Sequence, residues 1–114
     1  MLFKERIQRK REEVTGMIPV LDAYGVVVTF VRYNCNLDFW DGRNWTCGAV
    51  GRHKGLTRLK DGRFVIIYGT DWTGERDHGE FISAKDALQE ILYAEAYDVL
   101  EKYFPDYKHP DNEK

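Results

Sequence analysis

The chain has 114 residues, enough for one domain that buries its own core without disulfides or metal. Hydrophobic residues make up 43% and aromatics 14%, which excludes a disordered chain. A net charge of −2 and a pI of about 5.9 argue against nucleic acid as the partner, and no apolar run approaches the ~20 residues of a membrane span.

The chain opens with a helical pattern from Leu2 to Val14, where Phe3, Ile7 and Val14 share one stripe. Thr15-Gly16 stops it. Pro19 keeps MIPVLDA out of a helix and predicts an edge strand or a turn. AYGVVVTFVRYN is the plainest strand. Val26, Val28 and Phe30 alternate with Val27, Thr29 and Val31, and both faces are apolar, which predicts a central position. LDFW and WTCGAV flank Asp41-Gly42, and GLTRLK and FVIIYG flank Asp61-Gly62. Each Asp-Gly pair predicts a hairpin turn. Ser83 followed by Asp86 is a shortened capping box, so a helix should start there, with Ala87, Leu88, Ile91 and Leu92 inward. A break is expected near Tyr93 to Ala96, a continuation through Tyr103, and an end at Pro105. The expected fold is α+β, with an N-terminal helix, an antiparallel meander of five to six strands, and a C-terminal helix or helix pair packed on one face. Residues 1–107 read as the single domain and 108–114 as a polar tail.

Charge is unevenly spread. From Gly42 to Gly62 the bases Arg43, Arg52, Lys54, Arg58 and Lys60 face only Asp61, and Arg63 follows. From Ala84 to Lys114 eight acids stand against four lysines. A basic middle suits an anion, and an acidic end suits a solvated or partner-facing surface. MLFKERIQRKREE is charged rather than apolar, so no signal peptide is read. The cytoplasm is therefore the expected compartment, with Cys35 and Cys47 reduced.

The chemistry-bearing groups concentrate in GTDWTGERDHGEF, Gly69 to Phe81. Cys35, Cys47, His53 and His78 are separated by eleven, five and twenty-four residues, without the close pairs that structural zinc takes. No cysteine or serine carries a catalytic signature, so no catalytic residue is assigned. Gly69 and Gly74 have P-loop spacing, but Glu75-Arg76 stands where Lys-Ser/Thr is required. Asp71, Glu75, Asp77 and Glu80 interleave with Arg76 and His78, the arrangement of a salt-bridged rim. What remains is tryptophan and arginine beside turns, a mixture that stacks on planar groups and holds phosphates. Trp72 or Trp45 is expected to stack on a base. Arg76, Arg43 and Arg63 are expected to take phosphates, and Asp71 or Asp77 a ribose hydroxyl.

LKDGRFVIIYGTDWTGERDHGEFISAKDALQEIL, from Leu59 to Leu92, resembles the small phage anti-Thoeris sponge proteins. That resemblance implies a small α+β oligomer in the host cytoplasm that sequesters cyclic ADP-ribose isomers or related cyclic nucleotides, with no turnover and no cofactor. It implies a ligand role for Trp72, Arg76 and the basic middle. The alternative is a phage inhibitor that blocks a host defence nuclease with an acidic helical face carrying Glu90, Glu95 and Glu101. A small hydrolase built on Asp71, Glu75, Asp77 and His78 is the third reading.

Overall fold

A computed structural model of the chain describes residues 16–40, 45–46 and 51–108, with backbone alone for 39–40 and 45–46. The strands are β1 (Met17–Leu21), β2 (Val27–Arg32), β3 (Phe39–Trp40), β4 (Trp45–Thr46), β5 (Arg52–Arg58), β6 (Phe64–Thr70) and β7 (His78–Ile82). Two helices follow, α1 (Ala84–Ala94) and α2 (Tyr97–Tyr103). The class is α+β, and both helices follow the strands in the chain, as local pattern predicts. The expected N-terminal helix lies outside the described residues.

The main sheet has the order β2-β1-β7-β6-β5, while β3 and β4 form a separate two-stranded sheet. The expected meander is corrected here. β1 pairs with β7 in parallel, through Val20↔Gly79 and Leu21↔Glu80, so the sheet is mixed. The parallel register begins only past Pro19, whose nitrogen has no proton to give. Gly79 permits the close fit. A Cβ there would lie 2.8 Å from Val65 Cγ1 and 3.4 Å from Val20 Cγ2.

Two strand positions also differ from expectation. β1 is internal, with β2 on one side and β7 on the other. β2 is an outer strand, and Val27, Val28 and Phe30 remain about half exposed. Its two-sided apolar pattern has the composition of a buried strand, but no described strand pairs with its outer side. The other outer strand, β5, is met by side chains that imitate a strand. Leu56 N–H donates to Asn36 Oδ1 (2.8 Å), and Leu56 O accepts from Asn36 Nδ2 (3.1 Å) and Asn34 Nδ2 (3.3 Å). Lys54 N–H donates to Asp38 Oδ1 (2.9 Å).

The turns and caps follow local chemistry. Gly62 sits at φ 95° between β5 and β6, a conformation glycine adopts without strain. Ser83 Oγ accepts from Asp86 N–H at 3.0 Å and starts α1. The helix ends at Glu95, in the left-handed region with φ 56°, at the expected break.

Alternation along β6 divides the core between the two faces of the sheet. Phe64 joins Leu37, Leu56, Ala87, Ile91, Ala94 and Val99 under the helices. Its ring stacks on Phe104 at 5.4 Å and meets the edge of Tyr103 at 5.5 Å. Val65 and Ile67 join Ile18, Val20 and Val31 on the opposite face. Among the described residues no helix is long and apolar enough to cross a membrane.

Candidate functional site

The helices cover the part of their sheet face nearest the Asp61-Gly62 turn and leave the far end open. There the hairpin register sets Lys54 opposite Tyr68, and Tyr68 opposite His78, in a row across three strands. Arg52 and Thr70 pair one step beyond. These residues, with Glu75, Arg76 and Glu80, line a cleft of about 600 Å³ whose wall on α1 is the exposed Tyr93. The volume lies within the range of small-molecule sites.

Two of the cleft's cations and His78 already have carboxylate partners. Lys54 Nζ lies 3.1 Å from Glu90 Oε1 on α1, Arg52 Nη2 lies 2.9 Å from Glu75 Oε2, and His78 Nε2 lies 3.0 Å from Glu80 Oε2. The Arg76 guanidinium has no hydrogen bond or ion pair among the described residues. Its backbone carbonyl faces His78 Nδ1 at 3.4 Å. Burial pushes the Tyr68 phenol above its ordinary value, so it stays a neutral hydrogen-bonding group beside the His78 ring, 5.5 Å away.

A second polar group centres on His53, which also lines the cleft. His53 Nδ1 is 2.7 Å from Asp38 Oδ2 and its Nε2 is 2.9 Å from Asp71 Oδ2. The bond to Asp71, then that to Asp38, raise the imidazole above its usual value, against a smaller opposing effect of burial. Burial raises the Tyr33 phenol strongly, with Cys35, Asp77, Asp38 and Asp71 adding to it. Burial first and Asp38 second also push the Cys35 thiol up, which makes it a poor nucleophile. Among the described residues no group of three or more His, Cys, Asp or Glu is placed to hold a metal ion.

The residues singled out from sequence fall in different places. Arg76 lines the cleft. Trp72 is half exposed and does not line the cleft, but the guanidinium of Arg52, which does, lies 6.0 Å from its ring centroid. Asp71 bridges to His53, and Asp77 Oδ1 accepts from Thr70 N–H at 3.0 Å, so both carboxylates have structural tasks. Arg63 is not brought to this site. It lies before β6, at the far end of a seven-residue strand, and roughly 20 Å separate it from Thr70 on strand geometry. There it pairs with Asp61 at 2.9 Å and covers Phe81 at 4.4 Å. Arg43 and the side chain of Trp45 lie outside the described residues.

Tyr68 and Tyr93 carry no site expectation from pattern, Lys54 enters only as part of the basic middle and His78 only through the metal, salt-bridged-rim and hydrolase readings. A signal was present. Counting outward from the Asp61-Gly62 turn pairs Arg58 with Phe64 and so Lys54 with Tyr68.

Comparison of the chain with protein families, with characterised proteins and with solved structures finds no match.

Proposed function

We propose that this chain is a non-enzymatic binding protein that sequesters a small phosphorylated nucleotide in the cleft between β5, β6, β7 and α1. The observation that carries the reading is Arg76, a guanidinium without a partner among the described residues, on a cleft that also holds Arg52, Lys54, His78 and two tyrosines. A guanidinium presents a planar fork that matches a phosphate in two hydrogen bonds. Tyr93 and Tyr68 offer flat apolar surface to a base, and Trp72 neighbours Arg52 of the cleft. Glu75 and Glu80 can accept ribose hydroxyls, a task first expected of Asp71 or Asp77. The resemblance of Leu59–Leu92 to anti-Thoeris sponges narrows the ligand to a cyclic nucleotide, a cyclic ADP-ribose isomer first, and the role to a phage anti-defence protein in the host cytoplasm.

A thermal-shift and calorimetric panel of cyclic ADP-ribose isomers, cyclic mononucleotides and cyclic dinucleotides tests this. At 100-fold its dissociation constant a ligand stabilises by about 2.7 kcal/mol. A panel without a single stabilising member ends the proposal, and conversion of a bound nucleotide to product would replace sequestration with hydrolysis.

A homo-oligomer belongs to the same reading, and β2 is the strand that suits it. From Ala23 to Val31 the chain carries no charge, Asp22 precedes that stretch and Arg32 ends it. Antiparallel pairing with a second copy would bring each Arg32 end towards the partner's Asp22 end. Phe30→Lys should leave a smaller species by light scattering, and an unchanged mass would remove β2 from the interface.

The inhibitor reading draws on the exposed acids Asp86, Glu95, Asp98 and Glu101 of the two helices. Glu90 contributes less to such a face, because Lys54 holds it. Reversing Glu95 and Glu101 separates the readings, since it would abolish an inhibitor and spare ligand binding.

A further inference from the structure

We propose that His53 is a positioning residue for the cleft: held as an imidazolium between Asp38 and Asp71, it pins the segment carrying Glu75 and Arg76 to β5, and loosens it when the ring loses a proton. The inference deepens the sequestration reading and rests on that reading for the ligand alone.

The geometry sets the protonation state. Both ring nitrogens lie within 2.9 Å of a carboxylate oxygen. Ionised carboxylates only accept hydrogen bonds, so both contacts hold only if both nitrogens donate. A neutral imidazole has one N–H. Its other nitrogen would then point a lone pair at a carboxylate, and one of the two contacts must open.

The side that opens is Asp71. Asp38 is tied a second time, by the Lys54 N–H to its Oδ1 at 2.9 Å, and its side chain is only 8% exposed. The Asp71 side chain is 71% exposed and can turn into water. Asp71 begins the segment that forms one wall of the cleft. Its N–H donates to Gly51 O at 2.8 Å, and Glu75 further along holds Thr70 Oγ1 at 2.7 Å and Arg52. Losing the His53 tie removes one anchor among several, so the wall loosens without unfolding.

Among the described residues the titratable groups around the ring are few. Asp38 and Asp71 contact it directly, and Tyr33, Cys35 and Asp77 stand with them in the same cluster. Tyr33 and Cys35 are both pushed up by burial, so they keep their protons while His53 titrates. Arg52 and Lys54 neighbour His53 on its own strand, and alternation turns their side chains to the other face.

The test has two parts. In the free chain, imidazole nitrogen NMR and amide exchange at Asp71 and Glu75 are followed from about pH 6 to about pH 9, across the neutral range in which histidine titrates. Two ring N–H groups at neutral pH, with protection at both amides falling as the ring titrates, is the expected result. One ring N–H at neutral pH, or protection unchanged through the titration, overturns the inference. In the second part ADP serves as the probe. Its affinity for the native chain should fall on the order of tenfold across the same range, the scale of one charge-assisted hydrogen bond. It should be weak and flat in His53→Gln, and an equal fall in that variant overturns the positioning role. Asp71→Asn, at the exposed end of the bridge, should flatten the pH dependence in the same way and serves if His53→Gln does not fold. If amide protection follows the ring while ADP binds at no pH, the clamp stands and ADP is ruled out as a ligand, and the cyclic-nucleotide panel decides the sequestration reading.

Discussion

Lys54 Nζ and Glu90 Oε1 meet at 3.1 Å, joining the middle of β5 to α1 at the floor of the cleft. The two side chains are 23% and 31% exposed, so the pair is only partly screened by water. An anionic ligand must share Lys54 with Glu90. Glu90→Gln should therefore tighten nucleotide binding several-fold while lowering stability by about 1 kcal/mol. Urea unfolding and calorimetry of the same variant check both signs, and weaker binding would place Lys54 outside the ligand's reach.

Arg76 and Arg63 give opposite expectations. Arg76→Ala removes a guanidinium with no partner among the described residues, so it should cost at least about tenfold in affinity and leave stability within about 0.5 kcal/mol. Arg63→Ala should spare affinity, because its side chain lies over Phe81 and beside Asp61 at the other end of the sheet. Binding titrations of both variants decide whether the open end of the sheet is the site.

Two glycines are filled by neighbours of different stiffness. A Cβ at Gly55 would run into the backbone carbonyl of Asn34, and one at Gly69 into the hydroxyl and ring of Tyr33. Gly55→Ala therefore displaces the segment that caps the edge of β5 and should cost about 3 kcal/mol, the upper end for overpacking. Gly69→Ala should cost less, about 1–2 kcal/mol, because a side chain can give way. Tyr33→Leu in the Gly69→Ala background should recover part of that loss, as a double-mutant cycle would measure.

The His53 bridge also makes a stability prediction with a definite sign. Its folded value is raised above the unfolded one of about 6.5 by Asp71 and Asp38. The folded state thus binds the proton more tightly, and stability contributed by the bridge is full below that unfolded value. It is lost as pH rises through the folded value. The margin of the native chain over His53→Gln should shrink from mildly acidic to mildly alkaline pH in denaturant titrations. A margin that grows with pH would mean the ring is neutral in the fold.

Much of the fold is legible locally. Asp61-Gly62 marks its turn because only a residue tolerant of φ 95° sits there without strain. Ser83 and Asp86 mark the start of α1 because a hydroxyl satisfies an amide that the helix cannot. The break before Tyr97 shows in the apolar stripe. The place of β2 does not. VVVTFV has the composition of an inner strand, and nothing within it records which neighbours reach its two sides.

The site divides in the same way. Arg76 and Trp72 stand out beside a glycine turn, and Arg52 and Lys54 belong to a visibly basic stretch. Their meeting with Tyr68 and His78 depends on the register of three strands and on where α1 stops covering them. His53 enters the sequence only as one of four scattered metal-type residues, yet its two carboxylates come from 15 residues before it and 18 after. By itself the sequence determined turns, caps, strand and helix type and the excess of cations in the middle, because these depend on neighbours a few bonds away. Only the tertiary structure decided the parallel pairing of β1 with β7, the edge position of β2 and the assembly of the cleft. Those depend on which distant surfaces exclude water together, and no local pattern encodes that choice.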